Sequence, residues 1–353
     1  MDVKVGMINW DAGLTEDTFF GHWAMNSLGC EKWKRRLPYY AVKDGDGWRF
    51  PERTQRDYDR ELQFAIDAGI DYFAYCWYTE EALEPELPGG NRYEAIRPYI
   101  HELNRARHLF ESSPMNDRID LCAIILGMHG YSAADWEKLA LAMTKPYYHK
   151  IDGRPLVFIF GGYCVDHIQN VRAAARSVGL EAYVCIFGNE PDGKDYSLAD
   201  AASTYADGSS GESGYAAFAE NVMKNNEARK EYGLQLIPEF STGWNPTPRF
   251  ERPTPWAAYP DRVYVEDNDG NGFEAAARAL KAWMEKNSQF VKSGHVLSFA
   301  WNEFEEGGYV CPTLGADGKP DGARLEHYKR AVEILKGTAQ YEKHFRRIHA
   351  LKG

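Results

Sequence analysis

The stretch "TQRDYDRELQFAIDAGIDYFAYCWY", Thr54 to Tyr78, holds two periodicities back to back. In its first part Leu62, Ala65 and Ile66 fall on one face at the i, i+3, i+4 spacing of an amphipathic helix. After Gly69 the pattern becomes a near-continuous apolar and aromatic run from Ile70 to Tyr78. Such a strand belongs in a parallel sheet covered by helices, where both faces of the strand are buried.

The same alternation repeats along the chain. Further strands are read in "VKVGMINW" (3–10), "LCAIILGMH" (121–129), "PLVFIFGGY" (155–163), "EAYVCIFGN" (181–189), "DAASTYADG" (200–208), "LQLIPEFS" (234–241) and "HVLSFAWNE" (295–303). Helical spacing lies between them at 92–110, 132–145, 167–179, 214–233 and 272–294, and once more after the last strand at 324–337. Only "DGKDYSLA", before the sixth strand, is too short for more than a turn or two of helix. Eight strands with covering helices fit a closed (β/α)₈ TIM barrel, a single catalytic domain over 1–353. A doubly wound open sheet is the alternative. It calls for a Gly-rich phosphate turn after the first strand, where this chain has "INWDAGLTEDTFF".

Composition narrows the partners. An excess of 52 acidic over 41 basic residues, net −11, argues against nucleic acid and anionic membrane surfaces and leaves neutral or cationic small substrates. Ten tryptophans and 22 tyrosines exceed what a core of this size needs, and flat rings are platforms for sugars. No window approaches the roughly 18 apolar residues that span a bilayer, so no membrane insertion is expected. The start "MDVKVGMINW" lacks the basic and apolar regions of a signal peptide. Six scattered cysteines, with Cys76, Cys122 and Cys185 inside apolar runs and no CxxC pair, read as reduced core thiols. The expectation is a cytoplasmic chain; export with a trimmed signal peptide is the alternative. No cofactor or metal is implied, since the ten histidines form no ligand pattern and "EDNDGNGFE" (266–274) lacks calcium-loop spacing, reading as a turn and helix start. Nothing in the sequence fixes the oligomeric state.

In a barrel of this kind the active site lies where strands end. Several strands here end in polar or aromatic groups: Asn9 and Trp10, Trp77 and Tyr78, His129, Tyr163, Asn189 and Glu190, Asp207, Glu239, and Trp301, Asn302, Glu303 and Glu306. Carboxylates walled by aromatics suit carbohydrate. Trp10, Trp77, Tyr78, His129, Glu190, Glu239, Trp301 and Asn302 are therefore candidate substrate contacts, joined by Trp244 and Asn245 from the Pro-rich loop "TGWNPTPRF" (242–250). Trp244 is a sugar platform or a packed lid anchor, and Arg249 neutralises a carboxylate or meets substrate. Within "NEFEEG", Glu303 and Glu306 point the same way if the chain turns after Glu303, while Glu305 faces solvent. One carboxyl kept protonated beside one left ionised is what acid/base chemistry requires. The competing reading of Glu303 is a plain partner for an arginine or a backbone N–H.

"SFAWNEFEEGGYVCPT" (298–313) resembles the "NEW-x-EG…P" signature of glycoside hydrolase family 99 and its WbsX-like relatives. "QFAIDAGIDYFAYCWY", "DGRPLVFIF" and "TGWNPTPRF" resemble further stretches of that family in the same order. The resemblance implies a (β/α)₈ enzyme acting on glycosides, with catalytic Glu303 and Glu306. As in the endo-α-mannosidase branch, Glu303 would deprotonate the sugar's 2-hydroxyl to form a 1,2-anhydro intermediate, and Glu306 would protonate the leaving oxygen. The chain departs from the pattern at Cys311, where relatives often carry a glutamate, and at "WNPTP" in place of "WDNTP". The alternatives are a WbsX-like glycosyltransferase, for which no nucleotide-phosphate loop is evident, and a non-catalytic carbohydrate-binding barrel, which needs no glutamate pair.

Overall fold

The computed structural model describes residues 2–10, 19–79, 103–161, 164–188, 196–208, 211, 214–254, 265 and 268–350. Eight parallel strands follow the order expected: β1 Lys4–Asn9, β2 Tyr72–Trp77, β3 Asp120–Leu126, β4 Arg154–Phe160, β5 Tyr183–Phe187, β6 Ala201–Ser203, β7 in two pieces (Gln235–Leu236 and Glu239–Ser241) and β8 His295–Phe299. Each pairs with its sequence neighbour, and β1 pairs with β8 at Lys4↔His295. Closure runs through β7, whose first piece pairs with β6 at Gln235↔Ala201 and whose second pairs with β8 at Glu239↔Leu297. Pro238 makes the break, because it has no N–H to give to the ladder. Its carbonyl still accepts from Leu297 N at 3.1 Å, and Ile237 N donates to Ala202 O at 3.0 Å. The result is the TIM barrel, without the open edges of a doubly wound sheet.

The helices are α1 Phe19–Leu28, α2 Gln55–Asp67, α3 Arg105–Ser112, α4 Ala133–Met143, α5 Val165–Ser177, α6 Tyr215–Ala228, α7 Thr247–Glu251, α8 Phe273–Lys286, α9 Ala323–Lys336 and α10 Thr338–Ala350. Thr54 and Ser132 start α2 and α4 through reciprocal capping boxes with Asp57 and Asp135. Helix α8 stops at Lys286, short of the reading to Gly294, because the Asn287 side chain takes the Trp283 carbonyl at 3.0 Å and the chain turns. Asn268 Oδ1 accepts from Gly270 N in a turn ahead of α8. Among the described residues no helix is long and apolar enough to cross a membrane.

Strand alternation decides which aromatics face the site. On β2, Tyr75 and Trp77 point outward to α2 and α3: the Tyr75 ring meets Phe110, and the Arg107 guanidinium lies 3.8 Å from the Trp77 ring centroid. Tyr72 and Cys76 point inward. Tyr72 stacks on His149 at the floor of the barrel, and Cys76 Sγ lies 3.8 Å from the Tyr205 hydroxyl. The floor is shut by His149 and His295, whose Nε2 atoms are 2.8 Å apart.

Candidate active site

After β8 the chain makes a tight hairpin. Asn302–Glu303 pairs antiparallel with Gly308–Tyr309 around one turn of 3-10 helix, Phe304–Glu306. Gly307 closes the turn at φ 75°, where a Cβ would stand 2.8 Å from Asn245 N, so only glycine fits. This is the turn that the spacing of Glu303 and Glu306 requires. The hairpin is tied to β1 by Asn302, whose Oδ1 accepts from Trp10 N at 2.8 Å and whose Nδ2 donates to Asn9 Oδ1 at 2.9 Å.

Arg249 organises the carboxylates. The Pro-rich loop delivers it on α7: Asn245 Oδ1 caps that turn by accepting from Thr247, and Arg36 holds the Asn245 carbonyl at 2.8 Å. The Arg249 guanidinium donates to Glu306 Oε1 and, at 3.2 Å, to Glu305 Oε2, and lies 3.9 Å from Glu303 Oε2. Of the two alternatives read for Arg249, neutralising carboxylates is the geometry found. Glu305 does not face solvent as expected. It is 3 % exposed, held between Arg249 and the Ser27 hydroxyl of α1, because a cation supplied from 56 residues away makes burial of its charge tolerable.

Glu303 is buried as well. The Tyr205 hydroxyl, two residues beyond β6, donates to its Oε1 at 2.7 Å, while its Oε2 is buried without a hydrogen-bond donor among the described residues. Burial, and then the charge of Glu306, push Glu303 up to about 8, against the opposing pull of Arg249 and Tyr205. Glu306 is the member that reaches toward the mouth, its side chain 12 % exposed. The site thus holds one carboxyl that keeps its proton at neutral pH and one gripped by a guanidinium.

The expected aromatic wall divides. Trp10 belongs to the site: Arg249 lies 5.6 Å from its ring centroid, and its Nε1 donates to the Tyr78 hydroxyl at 2.8 Å. Tyr78 meets the half-buried His129 edge to face at 5.6 Å, and burial, helped by His167, pushes His129 down to about 4 so that it stays neutral. Trp244 is half-buried against Phe299.

Trp77 and Trp301 are not stacking faces. Both point out of the barrel, Trp77 under Arg107 and Trp301 with its Nε1 on Glu61 at 2.8 Å beside Phe73. Strand alternation sends them to the helical layer. Asn302 and Asn245, read as sugar contacts, are found clasping the hairpin and α7. Glu239 is 1 % exposed, with its Oε1 accepting from Asp207 N at 3.2 Å, which makes it a support behind the site instead of a hydroxyl ligand. Tyr163, Asn189 and Glu190 lie outside the described residues. Tyr205 was not singled out, although inward alternation through Ala201 and Ser203 points to it.

No family model matches the chain, and no curated protein matches it. Two solved structures of the glycoside hydrolase family 99 endo-α-mannosidase of Bacteroides thetaiotaomicron match it over its length. The one in complex with bis-tris-propane is 15 % identical with TM-score 0.57, covering 98 % of this chain and 99 % of that one. The other is 14 % identical with the same TM-score and coverage. At that identity the shared property is the barrel fold.

Proposed function

We propose that this chain is a glycoside hydrolase that cleaves a glycosidic bond in an oligo- or polysaccharide, with Glu303 and Glu306 as its working carboxyls. The observation that carries the reading is the pair itself. Two glutamates three positions apart converge on Arg249 at the C-terminal mouth of the barrel, Glu303 pushed up to about 8 and Glu306 bound to the guanidinium. The likeness in fold to an endo-α-mannosidase supports it, as do the rings of Trp10 beside Arg249, of Tyr78 against Trp10 and of Trp244 against Phe299.

The pair works with one proton between its members. In the route implied by the sequence resemblance, Glu303 takes the proton of the sugar's 2-hydroxyl, and that oxygen displaces the leaving group from the anomeric carbon. Glu306 gives its proton to the departing oxygen. Water then opens the 1,2-anhydro ring with the roles reversed. In the free site the proton rests on Glu303, so this route starts when the bound sugar shifts it to Glu306 and loosens Arg249.

The resting charges favour a second reading: Glu303 as acid and Glu306 as nucleophile of an ordinary double displacement. A 2-deoxy-2-fluoro glycoside separates them, because it has no 2-hydroxyl. Under the anhydro route no glycosyl-enzyme accumulates, whereas an ester on Glu306 seen by mass spectrometry would establish the double displacement.

A further inference from the structure

Behind the glutamate pair lies a second carboxyl pair that the proposed chemistry does not use. Asp207, Glu239 and Arg229 are 4 %, 1 % and 2 % exposed. Arg229, in the turn after α6, donates to Asp207 Oδ1, and its Nε reaches the Gly188 carbonyl at 3.2 Å at the end of β5. Asp207 N donates to Glu239 Oε1 at 3.2 Å. Asn226 of α6 takes both backbone groups of Glu239, each at 3.0 Å. Asp207 is bound to the guanidinium and Glu239 lies against Asp207, and one oxygen of each, Asp207 Oδ2 and Glu239 Oε2, is buried without a donor among the described residues.

Two buried carboxylates beside one cation leave a negative charge uncompensated in a dry site, which is strongly destabilising. One proton between the two orphaned oxygens removes the excess charge and gives both a hydrogen bond. We propose that Asp207 and Glu239 share a single proton and, held to Arg229 through Asp207, act as one unit that fixes the chain after β6 from which Tyr205 donates to Glu303.

Tyr205 stands two residues before Asp207, so any slack at Asp207 is felt at the Tyr205 hydroxyl. Glu239 carries the proton: burial first, then the charge and side-chain hydrogen bond of Asp207, hold it well above the ordinary carboxyl range, with Arg229 opposing. Tyr215 of α6 is a further titratable group beside it. Asp207, Glu239 and Arg229 are thus positioning residues for the hydrolase proposed above, on which this assignment rests.

Two readouts test it. A glutamate that keeps its proton when folded and loses it when unfolded makes the unfolding constant rise tenfold per pH unit above the ordinary carboxyl range, up to its folded value. Urea unfolding between pH 5.5 and pH 7.5 (about two units, hence about a hundredfold) should show that rise to be steeper in the native chain than in Glu239→Gln by one proton. Equal slopes overturn the shared proton. This needs no activity, so a chain inert on every glycoside would end the hydrolase reading and leave the pair standing.

For positioning, pH profiles on 2,4-dinitrophenyl glycosides should show Asp207→Asn lowering kcat more than it changes KM. It should also move the alkaline limb upward, as Tyr205→Phe does, with no further movement in the double variant. If Asp207→Asn does not fold, Arg229→Lys takes its place. An unmoved limb, or shifts that add in the double variant, overturns the positioning role.

Discussion

Replacing Tyr205 by phenylalanine removes one atom group and tests how Glu303 works. The lost bond is a 2.7 Å donation to a buried carboxylate. Hydrogen bonds to charged groups contribute about 1.5–3 kcal/mol, equivalent to about one to two pH units. Tyr205 stabilises the ionised form of Glu303, so its loss pushes Glu303 further up from about 8. The last proton of the pair then leaves at higher pH, and the alkaline limb of kcat/KM, expected near 8 in the native enzyme, moves up by that amount. If Glu303 is the base, the arrangement with the proton on Glu306 becomes rarer by the same energy, so the plateau below the limb falls about 10- to 100-fold. If Glu303 is the acid, the limb moves while the plateau holds. Steady-state profiles of the two enzymes from pH 5 to about pH 10 read both quantities. A plateau that holds refutes the base role, and a limb that does not move refutes any action of Tyr205 on Glu303.

Glu306→Gln should lose about 10²-fold or more on a natural linkage but keep much of its first-step rate on an aryl glycoside with an acidic phenol, while Glu303→Gln is inactive on both; single-turnover rates decide. Arg249→Met leaves buried Glu303 and Glu305, and Glu306 beside them, without their cation, so thermal unfolding should report a loss of about 3–5 kcal/mol together with loss of activity. Trp244→Ala should raise KM and leave the melting temperature nearly unchanged. Trp77→Ala should do the opposite, at a cost of about 3–5 kcal/mol in urea unfolding, since its ring is packed beneath Arg107.

The barrel was legible because its signal is local. Each strand is a run such as Tyr72–Trp77 whose burial on both faces shows in its own composition, and each major helix shows its apolar face within about two turns. Helices α1 and α10 were not read. Helix α10 follows Gly337, which has no side chain to cap it, and is held by a long-range tie, Gln340 bonding both backbone groups of Val3. Glu303 and Glu306 were legible for the same reason as the strands, since three positions and a following glycine pair define the turn that aligns them.

What the sequence withheld are the partners of those glutamates. Burial of Glu305 depends on Arg249 and Ser27, 56 and 278 positions away, and no local pattern distinguishes it from a solvated turn residue. The same distance hides the proton on Glu303, because its environment is assembled from Tyr205 after β6, Arg249 on α7 and Glu306 beside it. The aromatics were misread for a different reason. A tryptophan at a strand end has equal apolar character whichever way it points, and one step of register separates the site from the helical layer. Trp77 and Tyr78 are adjacent, yet one packs under a helix and the other holds Trp10 at the mouth. The parity of a strand, fixed by one inward residue such as Cys76 against Tyr205, is therefore the fact from which the lining of this site follows.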